Sequence, residues 1–321
     1  MIELLKEIGS AKTIGIAGHV HPDGDCAGSC LGLYGYLKNA CPSAQITVFL
    51  EQPAEIFSFL KGYEEINTEF SDKGVSDVFI ALDSGDVERL GPAKEYFLAA
   101  KKTICIDHHV SNQRFGDVSV LDVQASSTCE ILFWLFEKQY MDIDIAKSLY
   151  TGIVHDTGVF QYTNMKKQSF AAVGELVEYG FDSSQIIDET FYQKTYVQNQ
   201  ILGRALLESI LFMHGKCIAS VVDMKMMGFY QVSSKDLDGI INQLRVTKGV
   251  ECAIFLYETR SQEYKVSMRS NGIVNVAEIA SYFGGGGHVR AAGCTMSGTY
   301  YDVLNNLSLH IESQLKEAET S

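Results

Sequence analysis

The sequence predicts an α/β protein of two domains, the first built on a parallel sheet and the second smaller. Its 321 residues exceed what one hydrophobic core usually organises. In the first half, short apolar runs alternate with helical patterns, which is typical of βαβ units and of a parallel sheet covered on both faces. A second, strand-richer alternation follows a segment without helix breakers. We therefore expect two hydrophobic cores connected by a helix.

The first domain is expected over residues 1–190. Its predicted strands are TIGIAG, QITVFL, VSDVFIALD and KKTICID, and its first helices are GDCAGSCLGLYGYLKNA and GPAKEYFLAA. From about Ser126 the pattern becomes helical, and Ser126 or Ser127 followed by Glu130 is typical of a helix N-terminus. Polar residues cluster where the strands end. In an open α/β sheet these ends form the crevice that binds ligands.

The second domain is expected over residues 213–321, after a linker helix at 191–212 that includes VQNQILGRALLESILF. Strands are predicted in KCIASVVD, ECAIFLYETR and EYKVSMRS, and helices in DLDGIINQLRVTKG, in VAEIASYFG and at the end of the chain. The run GGGGHVRAAG lies between a predicted helix and a predicted strand. Its glycines allow a ligand to approach the backbone closely, and a flexible glycine linker is the alternative explanation.

Composition limits the classes of partner. Forty Asp and Glu residues against 26 Lys and Arg residues give a formal net charge of −14, which disfavours binding of long duplex nucleic acid. No segment approaches about 18 uninterrupted apolar residues, and the N-terminus lacks a signal-peptide pattern, so we expect a cytoplasmic protein without a membrane partner. The eight cysteines form no CxxC pair. For Cys26 and Cys30, core packing is favoured over a metal or redox role.

Acidic and histidine residues recur at predicted strand ends and on one helix. Singly, each has an ordinary explanation as a helix cap or turn residue. Jointly, with no Lys or Arg beside them, such groups need cations to be tolerated, and their oxygen and imidazole donors suit a manganese-like ion. The segments are HVHPDGD with His19, Asp23 and Asp25, DSGD with Asp83, DHH with Asp107, His108 and His109, and HDTG with Asp156.

These segments resemble the four motifs of the DHH phosphoesterase family, and GGGGHVRAAG resembles the glycine-rich signature of its DHH-associated C-terminal domain. The motifs extend from His19 to Gly293 in the family's order. A chain of this length with both domains is most similar to the nanoRNase/pAp phosphatase group. RecJ-type exonucleases carry additional nucleic-acid-binding parts, and the manganese-dependent pyrophosphatases have a different second domain without such a glycine run.

The resemblance implies a centre of two divalent ions, expected to be Mn²⁺ with Mg²⁺ or Co²⁺ as alternatives. One ion would be held by His19, Asp23 and Asp83, and the other by Asp25, Asp83, His108 and Asp156. The ions would lie about 3.5 to 4 Å apart and activate a shared water. Asp83 would bridge them, and Asp86 in the same segment is the less favoured bridge because it begins the loop after the strand.

Three residues are implied as catalytic: Asp83, Asp107 and His109. Asp107 would orient an imidazole, and His109 would face the substrate phosphate or the departing oxygen. His21 stands where the group often has Asn, and we interpret it as an idle outer residue. His155 is expected to point away from the site, because neighbouring helical side chains differ by about 100° in direction.

The resemblance also implies that the second domain binds the substrate's phosphate. The implied residues are Arg269, His288, Arg290 and the backbone of Gly285, Gly286 and Gly287. Motion at the linker helix would admit short molecules only. The implied reactions are release of nucleoside 5′-monophosphates from short oligoribonucleotides and conversion of adenosine 3′,5′-bisphosphate to AMP. Alternatives are cleavage of linear or cyclic dinucleotides, cleavage of pyrophosphate, or nucleotide binding without catalysis, and a homodimer is slightly favoured over a monomer.

Overall fold

The computed structural model describes residues 2–71, 74–161 and 165–320. The chain divides into two compact units, residues 1–193 and 194–321. The predicted fold class is confirmed, since the first unit contains a parallel sheet and the second a mixed sheet. Among the described residues, no helix combines the length and the apolar character that crossing a bilayer requires.

The sheet of the first unit has five parallel strands in the order β2-β1-β3-β4-β5. They are β1 Thr13–Ala17, β2 Gln45–Phe49, β3 Val78–Leu82, β4 Thr103–Asp107 and β5 Val118–Leu121. Strands β3 and β4 are buried along their whole length, as expected for a parallel sheet covered on both faces. Strand β5 was not predicted, because its four residues are only half-buried at the sheet edge.

Helices cover the two faces of this sheet. They are α1 Leu4–Ile8, α2 Gly24–Ala40, α3 Ala93–Ala99, α4 Thr128–Leu135, α5 Ile143–Asp156, α6 Lys167–Val177 and α7 Ser183–Ile187, which a π-helical turn at Asp188–Tyr192 extends. One core lies between the sheet and helices α2, α4 and α5, and a smaller core lies on the other face beneath α3. The sheet therefore fixes the positions of all strand ends.

Glycines allow α2 and α5 to pack at very short distance. A Cβ atom on Gly28 would lie 2.4 Å from the carbonyl oxygen of Ser148, and one on Gly152 would lie 2.7 Å from a carboxylate oxygen of Asp25. The first residues of α2 and the last residues of α5 thereby share one end of the unit. Side chains near Asp25 and Asp156 can meet there.

The second unit contains a six-stranded sheet in the order β10-β11-β9-β8-β7-β6. The strands are β6 Ile210–Phe212, β7 Cys217–Val222, β8 Cys252–Arg260, β9 Glu263–Ser270, β10 Gly286–His288 and β11 Ala291–Ser297. The helices are α8 Tyr196–Leu207, α9 Met224–Tyr230, α10 Ile240–Arg245, α11 Val276–Tyr282 and α12 Tyr300–Thr320. One core lies beneath α11 and α12, and another lies on the opposite sheet face beneath α8 and α10.

The segment predicted as a linker helix at 191–212 is more divided than expected. Helix α8 begins after Thr195, whose hydroxyl accepts from the backbone of Gln198, and it ends at Leu207. Its buried residues Ile201 and Ala205 belong to the core of the second unit. Residues 210–212 form β6, which pairs with β7. The expected single helix is therefore wrong at both ends. Before α8 the chain leaves the helical path between the π-helical turn at Asp188–Tyr192 and the Thr195 cap, and after α8 sheet pairing outweighs the helical pattern.

Replacing Gly28 with alanine should lower the free energy of unfolding by about 1–3 kcal/mol, because the backbone of α5 cannot move away from the new methyl group without disturbing the core. Gly174 in α6 is the matched control, since nothing lies within 4 Å of its Cβ position. Its replacement by alanine should raise stability by about 0.5–1 kcal/mol. Urea denaturation measures both changes, and equal effects would contradict the close α2–α5 packing.

Candidate metal centre

The candidate metal ligands of the first unit gather at the carboxyl ends of neighbouring parallel strands. His19 follows β1, Asp83 follows β3, and His108 follows β4. Strands β1, β3 and β4 are adjacent in the sheet, so these ends meet at one edge. The position agrees with the crevice expected from the sequence.

Asp83 lies between two imidazoles and is 2% exposed. Its Oδ2 is 3.5 Å from Nε2 of His19, and its Oδ1 is 3.5 Å from Nε2 of His108. Oδ1 also lies 3.7 Å from Nδ1 of His109. Each oxygen still has its own closest histidine, which is the arrangement that a bridging carboxylate needs. Asp86 is exposed, and its carboxylate accepts from the backbone N–H of Arg89 at 3.0 Å.

Two aspartates at the start of α2 complete the surroundings of these histidines. Asp23 Oδ2 is 3.7 Å from Nε2 of His19, while Asp23 Oδ1 caps α2 by accepting from the backbone of Asp25 and Cys26. Asp25 is buried, and its Oδ2 is 4.0 Å from Nε2 of His108. The HPDGD turn thus places Asp23 beside His19 and Asp25 beside His108.

The last turn of α5 supplies a further carboxylate. Asp156 Oδ2 is 3.4 Å from Nε2 of His108. Ligand atoms of Asp25, His108 and Asp156 lie within 4.8 Å of one another, as a single ion would require. Among the described residues, the ion pairs of Asp23, Asp25, Asp83 and Asp156 involve only histidines.

The imidazoles of this cluster are drawn toward the protonated state. Burial opposes the charge on His19, but hydrogen bonds with Asp23 and Asp83 outweigh it and raise the pKa of His19 to about 12. Burial likewise opposes the charge on His108, yet Asp83 and the neighbouring carboxylates raise its pKa to about 10. The cluster therefore favours positive charge at two places, one on each side of Asp83.

The pKa values of the carboxylates also indicate that nearby positive charge would stabilise this cluster. Burial, reinforced by repulsion from Asp83 and Asp156, raises the pKa of Asp25 well above its usual range. Burial also raises the pKa of Asp156 to about 6. At Asp83 burial acts in the same direction, but the two imidazoles prevail and hold its pKa below its usual range. Divalent ions meet this demand directly, so the donor set fits a two-metal centre.

Asp107 positions His109 rather than facing the cluster. Its Oδ1 is 2.7 Å from Nδ1 of His109, and its Oδ2 accepts from the side-chain amide of Asn112 at 2.8 Å. Burial would raise the pKa of Asp107, but these hydrogen bonds outweigh it and lower the pKa. With Nδ1 engaged by Asp107, Nε2 of His109 is left for another partner. The sequence analysis gave no role to Asn112, which stands three residues after His109.

Thr128 contacts two candidate ligands, which helix capping alone does not explain. Its backbone N–H donates to Asp25 Oδ2 at 2.7 Å, and its hydroxyl donates to Asp83 Oδ1 at 3.2 Å. Cys129 adds a second backbone N–H to Asp25 Oδ1 at 3.0 Å. The N-cap itself is Ser127, as predicted from the sequence. The N-terminus of α4 therefore holds a buried carboxylate, in a manner typical of helix N-termini.

The remaining histidines and the thiol of this region lie around the cluster. His21 is exposed and contacts Glu51 through its backbone N–H and its Nδ1. His155 pairs with the hydroxyl of Thr190 at 2.8 Å. The Cys26 thiol is buried and lies within 4.8 Å of ligand atoms of His19 and Asp83. Cys26 therefore packs in the core, as the sequence predicted, and also lies close to two candidate metal ligands.

The candidate phosphate-binding residues all lie in the second unit. The register of the sheet places Arg269 of β9, Ala291 of β11 and His288 of β10 in one cross-strand row. Arg290 donates to the carbonyl oxygen of Asn271 at 2.6 Å, so its guanidinium holds a loop. The roles of Arg269 and His288 in binding stay predictions.

The glycine run is more regular than the ligand-binding loop expected from the sequence. Residues 286–288 form β10, which pairs with β11. A Cβ atom on Gly285 would lie 2.2 Å from the carbonyl oxygen of Gly293, and one on Gly287 would lie 2.5 Å from that of Ala291. Gly285 and Gly287 are therefore required by close approach of the two strands. Gly284 and Gly286 have open space at their Cβ positions, and Gly284 has a positive φ of 74°.

Comparisons with known proteins agree with the resemblance in the sequence. Residues 13–153 match the DHH family N-terminal domain, and residues 214–317 match the DHHA1 domain. The bifunctional oligoribonuclease and PAP phosphatase NrnA of Thermus thermophilus is 32% identical over 304 residues, which are 94% of this chain and 88% of that protein. The protein of the same name from Bacillus subtilis is 26% identical over 99% of both chains. The crystal structure of an exopolyphosphatase-related protein from Bacteroides fragilis has a TM-score of 0.88 and 25% identity, over 97% of this chain and 94% of that chain.

Replacing Asp83 with asparagine should reduce the number of bound divalent ions from two to at most one, because this carboxylate faces both imidazoles. Metal content after equilibration with Mn²⁺ and removal of the excess measures the change. Asp86→Asn is the control in the same segment and should keep both ions. An Asp83→Asn variant that is folded by circular dichroism and retains two ions would contradict the shared-ligand arrangement.

Proposed function

The chain belongs to the DHH family and carries a DHHA1 domain, and on this premise we propose that it is a metal-dependent phosphoesterase of small nucleotides. Its substrates are short oligoribonucleotides, which it converts to nucleoside 5′-monophosphates, and adenosine 3′,5′-bisphosphate, which it converts to AMP. The names of the Thermus thermophilus and Bacillus subtilis relatives, which cover most of this chain, support both substrates.

One observation carries the proposed chemistry: the two oxygens of buried Asp83 face two different imidazoles. His19, Asp23 and Asp83 would hold one ion, and Asp25, Asp83, His108 and Asp156 would hold the other. Two divalent ions, here proposed to be Mn²⁺, neutralise phosphoryl oxygens and acidify a water molecule when they are bound. No side chain then has to act as a nucleophile.

His109 is proposed to serve the phosphoryl group or the departing oxygen. Asp107 engages Nδ1 of His109 at 2.7 Å and fixes the direction of the ring. The opposite nitrogen, Nε2, can then donate a hydrogen bond or a proton to an oxygen of the substrate. Asn112 holds the second oxygen of Asp107 and thereby keeps the carboxylate in place.

Arg269 and His288 are proposed to bind a phosphate that does not react. A guanidinium and an imidazole in one cross-strand row offer several N–H donors to phosphate oxygens. Gly286 contributes by leaving the adjacent backbone without a side chain. This local arrangement supports small anionic substrates in a protein whose net charge is −14.

Cytoplasmic location and a homodimer also stay proposals. Cell fractionation tests the location, and light scattering tests the oligomeric state.

The purified protein with Mn²⁺ should hydrolyse a 5′-labelled dinucleotide and adenosine 3′,5′-bisphosphate in preference to long RNA and pyrophosphate. Asp83→Ala should lower both activities by at least about 100-fold, because it removes a ligand of both candidate ions. Product release is measured by chromatography. Turnover of pyrophosphate alone would indicate a pyrophosphatase instead. Turnover of cyclic dinucleotides in preference to both substrates would indicate a cyclic dinucleotide phosphodiesterase. No turnover would favour a nucleotide-binding protein without catalysis.

Replacing Asp107 with asparagine should lower kcat by about 10- to 100-fold while both ions stay bound, because the ring of His109 loses its fixed direction. Steady-state kinetics and metal content together measure this separation. If the variant lost metal in proportion to activity, Asp107 would belong to the metal centre instead. Unchanged kcat would show that the orientation of His109 by Asp107 is not needed for the reaction.

A further inference from the structure

The sheet of the second unit has an open face along β9, β11 and β10. Side chains of β9 alternate in burial, as do those of β11. Tyr264, Val266 and Met268 belong to the core beneath α11 and α12. Because successive side chains of a strand point to opposite faces, Lys265, Ser267 and Arg269 lie on the other face. Helices α8, α9 and α10 cover that face over β7 and β8, and α10 also contacts β9, while Lys265 and Thr295 on the same face are exposed.

The register of the strands arranges the open face in three rows. Residues paired directly across an antiparallel sheet have their side chains on the same face. The first row contains Arg269, Ala291 and His288, the second contains Ser267, Gly293 and Gly286, and the third contains Lys265 and Thr295. Cationic or ionisable side chains therefore stand in the first and third rows, and the second row has none.

The second row forms a floor with almost no side chains. Ser267 carries a single hydroxyl, and Gly293 and Gly286 carry nothing beyond the backbone. A Cβ atom on Gly293 would lie 2.7 Å from the carbonyl oxygen of Val266, whereas the Cβ position of Gly286 is open. An extended chain could lie across this floor without meeting a bulky side chain.

Lys265 stands at the far end of this floor from Arg269. Four residues of a strand separate their Cα atoms by about 13 Å, and strand side chains stand roughly perpendicular to the sheet. With both side chains in this direction, the two cationic groups lie too far apart to bind one phosphate group. Lys265 is exposed and forms no salt bridge within the part of the chain that the structure describes. Half-buried Tyr257 is paired with Lys265 across the strands, so the two side chains lie on the same face of the sheet.

We propose that Lys265 binds a further backbone phosphate of an oligonucleotide whose preceding phosphate is held by Arg269 and His288. This rests on the proposed function and adds a determinant of substrate length. Adenosine 3′,5′-bisphosphate and a 5′-phosphorylated dinucleotide each carry two phosphates, whereas a 5′-phosphorylated trinucleotide carries three. The third phosphate is the one that Lys265 contacts, and Tyr257 offers a stacking surface for the base beside it.

Equilibrium binding of a phosphorothioate-linked, 5′-phosphorylated trinucleotide and of adenosine 3′,5′-bisphosphate tests this inference. Lys265→Met removes the charge and keeps most of the aliphatic stem. The ratio of trinucleotide to bisphosphate affinity should fall by about fivefold, as expected for one exposed charge pair. The dependence of trinucleotide affinity on salt should weaken by about 0.7 in the log–log slope, the value for one phosphate contact on a single strand.

Two further variants make the result specific. Lys265→Arg should restore most of the ratio, and Lys248→Met, at an exposed lysine outside the three rows, should leave ratio and slope as in the wild type. An unchanged ratio in Lys265→Met, or an equal loss of affinity for both ligands, would overturn the inference. If the proposed function were wrong, the wild-type chain would turn over neither unmodified substrate. The binding comparison would still decide the role of Lys265.

Discussion

The confinement of several carboxylates around two imidazoles at one end of the parallel sheet is the constraint on which the first unit depends. Buried like charges repel one another and lose hydration, so they persist only where positive charge is close. Asp83 is the centre of this arrangement, because its two oxygens serve His19 and His108 separately. The same demand for positive charge makes the site suitable for divalent ions and hence for phosphate chemistry.

The fold meets this constraint through backbone positions rather than through additional cations. Adjacent strands β1, β3 and β4 deliver their ends to one edge, and the N-terminus of α4 donates two N–H groups to Asp25. Gly28 and Gly152 let α2 and α5 approach closely enough for Asp25 and Asp156 to face the same imidazole. These backbone contacts reduce the unfavourable free energy of burying the carboxylates. They do not cancel the carboxylate charges, which can therefore bind a metal ion.

The sequence predicted the elements whose patterns are local. Helix α2 has the predicted bounds, Gly24–Ala40, and strands β1 to β4 lie within the predicted runs. The half-buried edge strand β5 and the short strand β6 were missed, because their stability comes from pairing with a neighbour rather than from their own pattern. The contacts of Thr128 with Asp25 and Asp83 span more than 40 residues of sequence, and no local signal distinguishes them from capping. The glycine run shows the same limit, since composition alone does not separate a ligand-binding loop from the tight β10–β11 pairing.

In the proposed function, the second unit would hold anions on a protein of net charge −14 through a few separated cations on a sheet face. The first unit would do so through divalent ions bound by its candidate ligands. Asp83 is proposed to be shared between two ions, which anomalous diffraction from crystals grown with Mn²⁺ can show. Two anomalous peaks are expected, one beside each oxygen of Asp83. A single peak, or two peaks of which only one contacts Asp83, would contradict this sharing.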